Sequence, residues 1–295
     1  MATELVPALI LVASSVSSSG FDLSRKVLGR HLSPAPMVFL LAAASMPLFG
    51  LLLVLDGRAE IAPGYLAPAL GSVLLNVAAN LAFIQSVMIA PLSLTVPLLS
   101  LTPAFTALLG LLLLGERPAP LTVAGIVLVI AGAVWLNLVR CAPQAPPRTG
   151  SWRDRIFQPG IWLMAGTALL WSLSIPLDKL AVQRAGAPFH GLFLTAGIAV
   201  CSLAVLLFQG RLGELAGLRR AGVPFAFALA SSTLALGLQL VALNLVLVSV
   251  VETVKRGIGN LMAVAMGWLI FGEGLSLRKL AAAALMAIGV ALILL

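Results

Sequence analysis

Glu252, Lys255 and Arg256 fall within two helical turns of an otherwise apolar run, and they are the strongest chemical signal in the chain. Each charge would cost about 2.5–3.5 kcal/mol at the centre of a bilayer, so the three must face protein, water or the membrane interface. Glu252 and Lys255 are spaced i,i+3 and Glu252 and Arg256 i,i+4, so one carboxylate can meet both cations and leave one positive charge over. One reading is a polar wall that attracts an anionic group or couples transport to ion movement. The other is a self-paired helix end whose long side chains snorkel to the interface. Gly257 and Gly259 follow directly and are expected to loosen the helix.

A second set is uncharged. Asn76 and Asn80, four apart, share a helix face, with Gln85 further along and Gln239 at a corresponding depth in the second half of the chain. Such side chains either face a substrate or join helices through hydrogen bonds worth about 1 kcal/mol. Asp22 follows a serine run from Ser14 to Ser19, and Asp178 follows Trp171, Ser172 and Ser174. Pairing of Asp22 with Arg25 or Lys26, and of Asp178 with Lys179, would form either a pair of gates or local interfacial ion pairs. His31 and His190 sit in matching connections, where a metal or proton role is not expected. Pro97 and Pro103 read as interior to the fourth apolar run, where proline frees a carbonyl and kinks a helix. No nucleophile elbow, phosphate loop, zinc spacing or dinucleotide fingerprint is present, so neither catalysis nor a cofactor or metal is expected.

The elements that carry these residues are apolar throughout. Of 295 residues, 61% are hydrophobic and 9% charged, too few polar groups to cover a water-soluble particle. Ten runs separated by polar, Pro and Gly punctuation are expected near 5–27, 37–55, 64–89, 92–114, 121–139, 160–182, 188–209, 221–247, 250–271 and 277–295. Each is about as long as the roughly 20 residues that span a hydrocarbon core. The fold class expected is therefore an all-α integral membrane protein of about ten transmembrane helices, embedded in a lipid bilayer. A net charge of +8 is spread between spans, which fits membrane topology and not nucleic-acid binding.

The halves repeat. An offset of 157 residues places Gly110 on Gly267, Gly115-Glu116 on Gly272-Glu273 and Gly132 on Gly289. The boundaries read as a first repeat over 1–140, a Pro/Arg-rich linker over 141–158 and a second repeat over 159–295. Five spans per half, an odd number, put the second half in the membrane in the opposite sense, an inverted-topology repeat suited to alternating access. Twelve Lys and Arg residues fall on the linker's face, among them Arg25, Arg140, Arg211 and Lys279, and four fall opposite: Arg58, Arg117, Lys179 and Arg184. That count places the linker inside the cell and both termini outside.

With its two five-span halves, each carrying Gly-Glu between the fourth and fifth spans, and the Pro103 to Gly110 run ahead of the first, the chain resembles the EamA family of the drug/metabolite transporter superfamily over essentially its full length. That resemblance implies a central cavity lined by the third, fourth, eighth and ninth spans with the first and sixth, and both termini in the cytoplasm, against the charge count. Carried onto this sequence, it implies Asn76, Asn80, Ser93, Thr95, Trp171, Gln239, Glu252, Lys255 and Arg256 as substrate-binding or coupling residues. The function expected is secondary active transport, as exporter or exchanger, of a small polar or amphipathic metabolite such as an amino acid or organic anion. The setting expected is the cell (inner) membrane, with a proton or other coupling ion and a monomer or homodimer. A flippase for a lipid or lipid-linked metabolite, or a non-transporting partner subunit, are the alternatives.

Overall fold

Long apolar runs must satisfy their own backbone polar groups in a membrane, and this chain does so as helices. The computed structural model describes residues 2–57, 60–89, 96–141, 159–271 and 276–294. Among them are ten α-helices and no strand. These are α1 (Ala2–Leu28), α2 (Pro34–Asp56), α3 (Leu66–Ile89), α4 (Thr102–Leu114) and α5 (Pro120–Cys141), then α6 (Pro159–Ala185), α7 (Ala187–Phe208), α8 (Gly222–Leu245), α9 (Val248–Phe271) and α10 (Leu277–Leu294). Seven of the ten, α1 to α3, α6 to α8 and α10, are long and apolar enough to cross a membrane. Helix α9 has the length, but Glu252, Lys255 and Arg256 break its apolar run. Residues 1, 58–59, 90–95, 142–158, 272–275 and 295 lie outside the described set, and with them most of the expected linker, Ser93, Thr95, Gly272 and Glu273.

The fourth span differs from the expectation. It is not one kinked helix: a 3₁₀ segment over Val96–Leu101 precedes α4. Pro103 therefore occupies the second position of α4, where its missing N–H costs no intrahelical bond. Gly115, at φ +68°, closes α4 in the left-handed conformation that glycine adopts freely.

Two compact units organise the chain, and neither coincides with a sequence half. Unit 1 comprises residues 1–81 and 174–246; unit 2 comprises 82–173 and 247–295. In unit 1, α1 packs on α8 and α2 on α7. In unit 2, α4 and α9 pack together, as do α5 and α10. Small residues set the second of these crossings: a Cβ on Gly125 would come 2.7 Å from the Gly289 carbonyl, and one on Gly289 would come 2.8 Å from the Gly125 carbonyl. Gly257 is likewise a packing position and not the loosening element expected, since a Cβ there would lie 2.5 Å from Val290 Cγ2 while α9 runs through it unbroken.

Candidate functional site

Among the described residues, each unit carries a polar centre built on a buried carboxylate. In unit 2 the centre starts from the helical spacing on α9. Glu252, wholly buried, lies with Oε1 2.7 Å from Arg256 Nε and Oε2 3.0 Å from Lys255 Nζ, the two pairs the sequence spacing predicts. The start of α4 adds a hydroxyl. Thr102 Oγ1 is 2.9 Å from Glu252 Oε1 and 2.8 Å from the Leu99 carbonyl, and its single proton serves one of them at a time. Arg256 Nε also donates to Thr102 Oγ1 at 3.0 Å. Ser172 Oγ on α6 lies 2.6 Å from the Ala168 carbonyl and 3.2 Å from the Thr102 carbonyl, and its single proton serves one of them at a time. The Arg256 guanidinium stands 5.9 Å from the centroid of the Trp171 ring, within cation–π range, and Trp171 in turn tilts against Phe83 at 5.4 Å.

The electrostatics of this centre are lopsided. One fully desolvated carboxylate is held by two cations whose side chains remain 22% (Lys255) and 19% (Arg256) exposed. A buried charge without such partners would cost several kcal/mol, so the cations and the Thr102 hydroxyl are what make Glu252 tolerable there. After neutralising Glu252 the pair keeps one positive charge, on the side of α9 that is not sealed.

Unit 1 holds the second centre, and it is closed. Asp178 on α6 and His190 in the first turn of α7 meet through Oδ1 and Nε2 at 3.0 Å, with side chains 4% and 0% exposed. Ser72 on α3 donates to the same Asp178 oxygen. Tyr65, just ahead of α3, places its hydroxyl 3.2 Å from His190 Nδ1, and packs edge-on against Phe189 at 5.4 Å and Phe193 at 5.5 Å. Above the pair, a Cβ on Gly191 would overlap the Phe49 ring of α2. Along α3, Asn76 Nδ2 donates to the Ser72 carbonyl at 3.0 Å and Asn80 Nδ2 to the Asn76 carbonyl at 2.8 Å. Arg25 of α1 donates to Asn80 Oδ1 at 3.0 Å and to Asp22 Oδ1 at 3.3 Å.

The expected residues thus divide. Trp171, Glu252, Lys255 and Arg256 come together in unit 2; Asn76 and Asn80 share a half-buried face of α3 in unit 1, and Gln239 is half-buried on α8. Asp22 pairs with Arg25 as expected but is 66% exposed. The expected pairing of Asp178 with Lys179 is replaced: Asp178 turns to Ser72 and His190, while Lys179 Nζ donates to the Val246 carbonyl at 2.7 Å. Consecutive helical side chains diverge by about 100° and do not face each other, so the adjacent acid and base have different targets. His190 is also not a connection residue; it is wholly buried inside α7. Thr102, Ser72 and Tyr65 were not singled out from the sequence. Nothing in the local pattern marks them, because their partners lie 150, 106 and 125 residues away.

The Gly-Glu pair of the first half has a definite role. Glu116 Oε2 accepts the backbone N–H of Val248, the first residue of α9, at 2.9 Å, a carboxylate at the positive end of a helix. A Cβ on Gly110 would come 2.7 Å from Val248 Cγ2, so this glycine lets the start of α9 approach α4.

No curated protein matches the chain in sequence. A solved crystal structure shares the fold with a TM-score of 0.76 and 18% identity, over 97% of this chain and 95% of that one. The EamA-like transporter family matches twice, over residues 5–138 and 158–295. Those two segments take in both polar centres and nearly all of the sequence, and the protein is a member of the EamA-like transporter family, a multi-pass membrane protein.

Proposed function

We propose that the protein is a secondary active transporter, exporter or exchanger, for a small polar or amphipathic metabolite that carries an anionic group. The observation that carries this reading is the partly exposed Lys255–Arg256 pair, with one positive charge in excess of Glu252 and the Trp171 ring beside it. A carboxylate or phosphate on the substrate would complete the charge balance, and the ring offers an apolar contact for the rest of the molecule. Amino acids and organic acids fit that description.

The wider reading has ten membrane-crossing helices in two inverted repeats, split by the linker at 141–158, in the cell (inner) membrane. Support for the repeats comes from the packing: α2 lies on α7, α4 on α9 and α5 on α10, each helix against its mate five places on. Elements near a pseudo-two-fold axis meet their own counterparts in this way, and alternating access uses that symmetry.

Purified protein in liposomes, offered labelled amino acids and organic acids with and without a pH gradient, tests the reading. Uptake or exchange of at least one anionic solute, reduced at least tenfold in Lys255→Ala/Arg256→Ala, is expected. Absence of flux for every solute, with no solute raising the melting temperature, would overturn it; equal flux in the double variant would remove the two cations from the site.

A further inference from the structure

The closed centre of unit 1 does work that its hydrogen bonds alone do not explain. A carboxylate and an imidazole, wholly within apolar helices, are costly, and an apolar pair of similar volume would pack there without that penalty. We propose that Asp178 and His190 form the proton-binding site of the carrier, taking up one proton from the aqueous phase as the coupling ion. This rests on the transport reading above and names its ion and the residues that hold it.

The geometry accommodates both proton counts without moving a heavy atom. With His190 neutral and its proton on Nε2, that N–H donates to Asp178 Oδ1, and Nδ1 accepts from the Tyr65 hydroxyl. When a proton arrives at Nδ1, that N–H donates to Tyr65 Oη, and the hydroxyl rotates its own proton away. Tyr65 is the element that makes this reversible, since a hydroxyl both donates and accepts. Ser72 Oγ donates to Asp178 Oδ1 in either state. The bound proton turns a net −1 pair into a neutral one.

Among the described residues, other charged groups near the pair are few. From α6, Lys179 turns to the Val246 carbonyl and Arg184 to the Leu180 carbonyl near the end of the helix. The packed faces of α3 and α8 carry no ionisable side chain, and α2 carries Asp56 alone, exposed at its last position. Proton uptake therefore shifts the charge of the Asp178, His190 and Lys179 group from zero to +1. Lys179 Nζ meets the Val246 carbonyl just past the end of α8, so that change of charge is felt within unit 1.

The route is constrained by chemistry. The Asn76 and Asn80 amides continue the hydrogen bonding toward Arg25, but a primary amide passes a proton only through its imidic acid form. Exchange must therefore come through Tyr65, which follows directly on the exposed segment 61–64.

Two measurements test the proposal on the full-length protein. The chain has two histidines, so ¹⁵N-histidine labelling with His31→Gln reports His190 alone. Its ring nitrogens are expected to pass from the neutral to the imidazolium form on acidification, and Asp178→Asn is expected to abolish that change. A His190 ring that keeps one form as the medium is acidified overturns the proposal without touching the transport reading. In liposomes, wild-type uptake of labelled amino and organic acids is expected to rise at least fivefold under an imposed pH gradient. Asp178→Asn and His190→Gln are expected to keep solute exchange and lose that rise. Gradient-driven uptake persisting in both variants overturns the proton site; a wild-type protein that moves no solute overturns the carrier reading, and the coupling role with it.

Discussion

The two polar centres are built from similar parts to opposite ends. In unit 2 a sealed carboxylate holds two cations that reach the surface of their unit; in unit 1 a sealed carboxylate is met by an imidazole and the Ser72 hydroxyl, which do not. Permanently charged side chains left partly in water can receive a ligand. Groups whose proton count can change, held away from water, are suited to storing one. The contrast is one of exposure and of partner chemistry: Arg does not give up its proton in a protein, whereas His does so near neutral pH.

The largest effect is expected from breaking the charged centre at its buried member. Glu252→Gln removes the buried carboxylate that both Lys255 and Arg256 meet, and should lower stability by about 3–5 kcal/mol. Thermal unfolding in detergent checks this, and a melting temperature equal to wild type would mean that solvation of the partly exposed cations already replaces the carboxylate. Closure of the other centre can be attacked sterically. Gly191→Ala drives a methyl group into the Phe49 ring and should cost about 1–3 kcal/mol, seen as a lowered melting temperature, while an equivalent change at the open Gly166 should not. A third change sharpens the comparison by touching only the mounting of α9: Glu116→Gln removes the carboxylate from the helix start and should cost about 1 kcal/mol.

Smallest of all is a pH effect outside both centres. Glu214, in the 3₁₀ segment Leu212–Arg220, is held below the usual carboxylate value by its hydrogen bond from Arg211 and then by that from Ser33 at the start of α2. Because its folded value is depressed, the link is fully present at neutral pH and is lost as the pH falls through the folded value. Limited proteolysis of the segment between α7 and α8 should accelerate only in acid, below the ordinary carboxylate range, and Glu214→Gln should remove that dependence.

Much of this molecule could be read from its sequence, for physical reasons that also set the limits. The apolar runs and the family signature follow from composition and register, which are local. The Glu252 pairs were legible because helical spacing alone brings i,i+3 and i,i+4 side chains together. The rest of the charged centre was not: reading residues 92–114 as one kinked helix hid the 3₁₀ segment and the new helix start that delivers Thr102. His190 stood near the edge of an apolar run and so looked like a connection residue. Its buried partners are Tyr65 and Asp178, drawn from two other stretches of chain, and no local pattern announces such a meeting.

Glu116 has a consequence for helix register. Its carboxylate holds the first N–H of α9, and Glu252, Lys255 and Arg256 follow within the next two turns. The loop after α4 therefore works as a gauge of register: it sets the height against α4 at which α9 starts, and with it the placing of charges on a helix more than a hundred residues later. Shortening the reach by one methylene, as in Glu116→Asp, is comparable to the 1.5 Å rise of about one helical residue, and one residue of register turns the face by about 100°. The Gly-Glu pair that follows α4 thus bears on how a helix more than a hundred residues later is mounted.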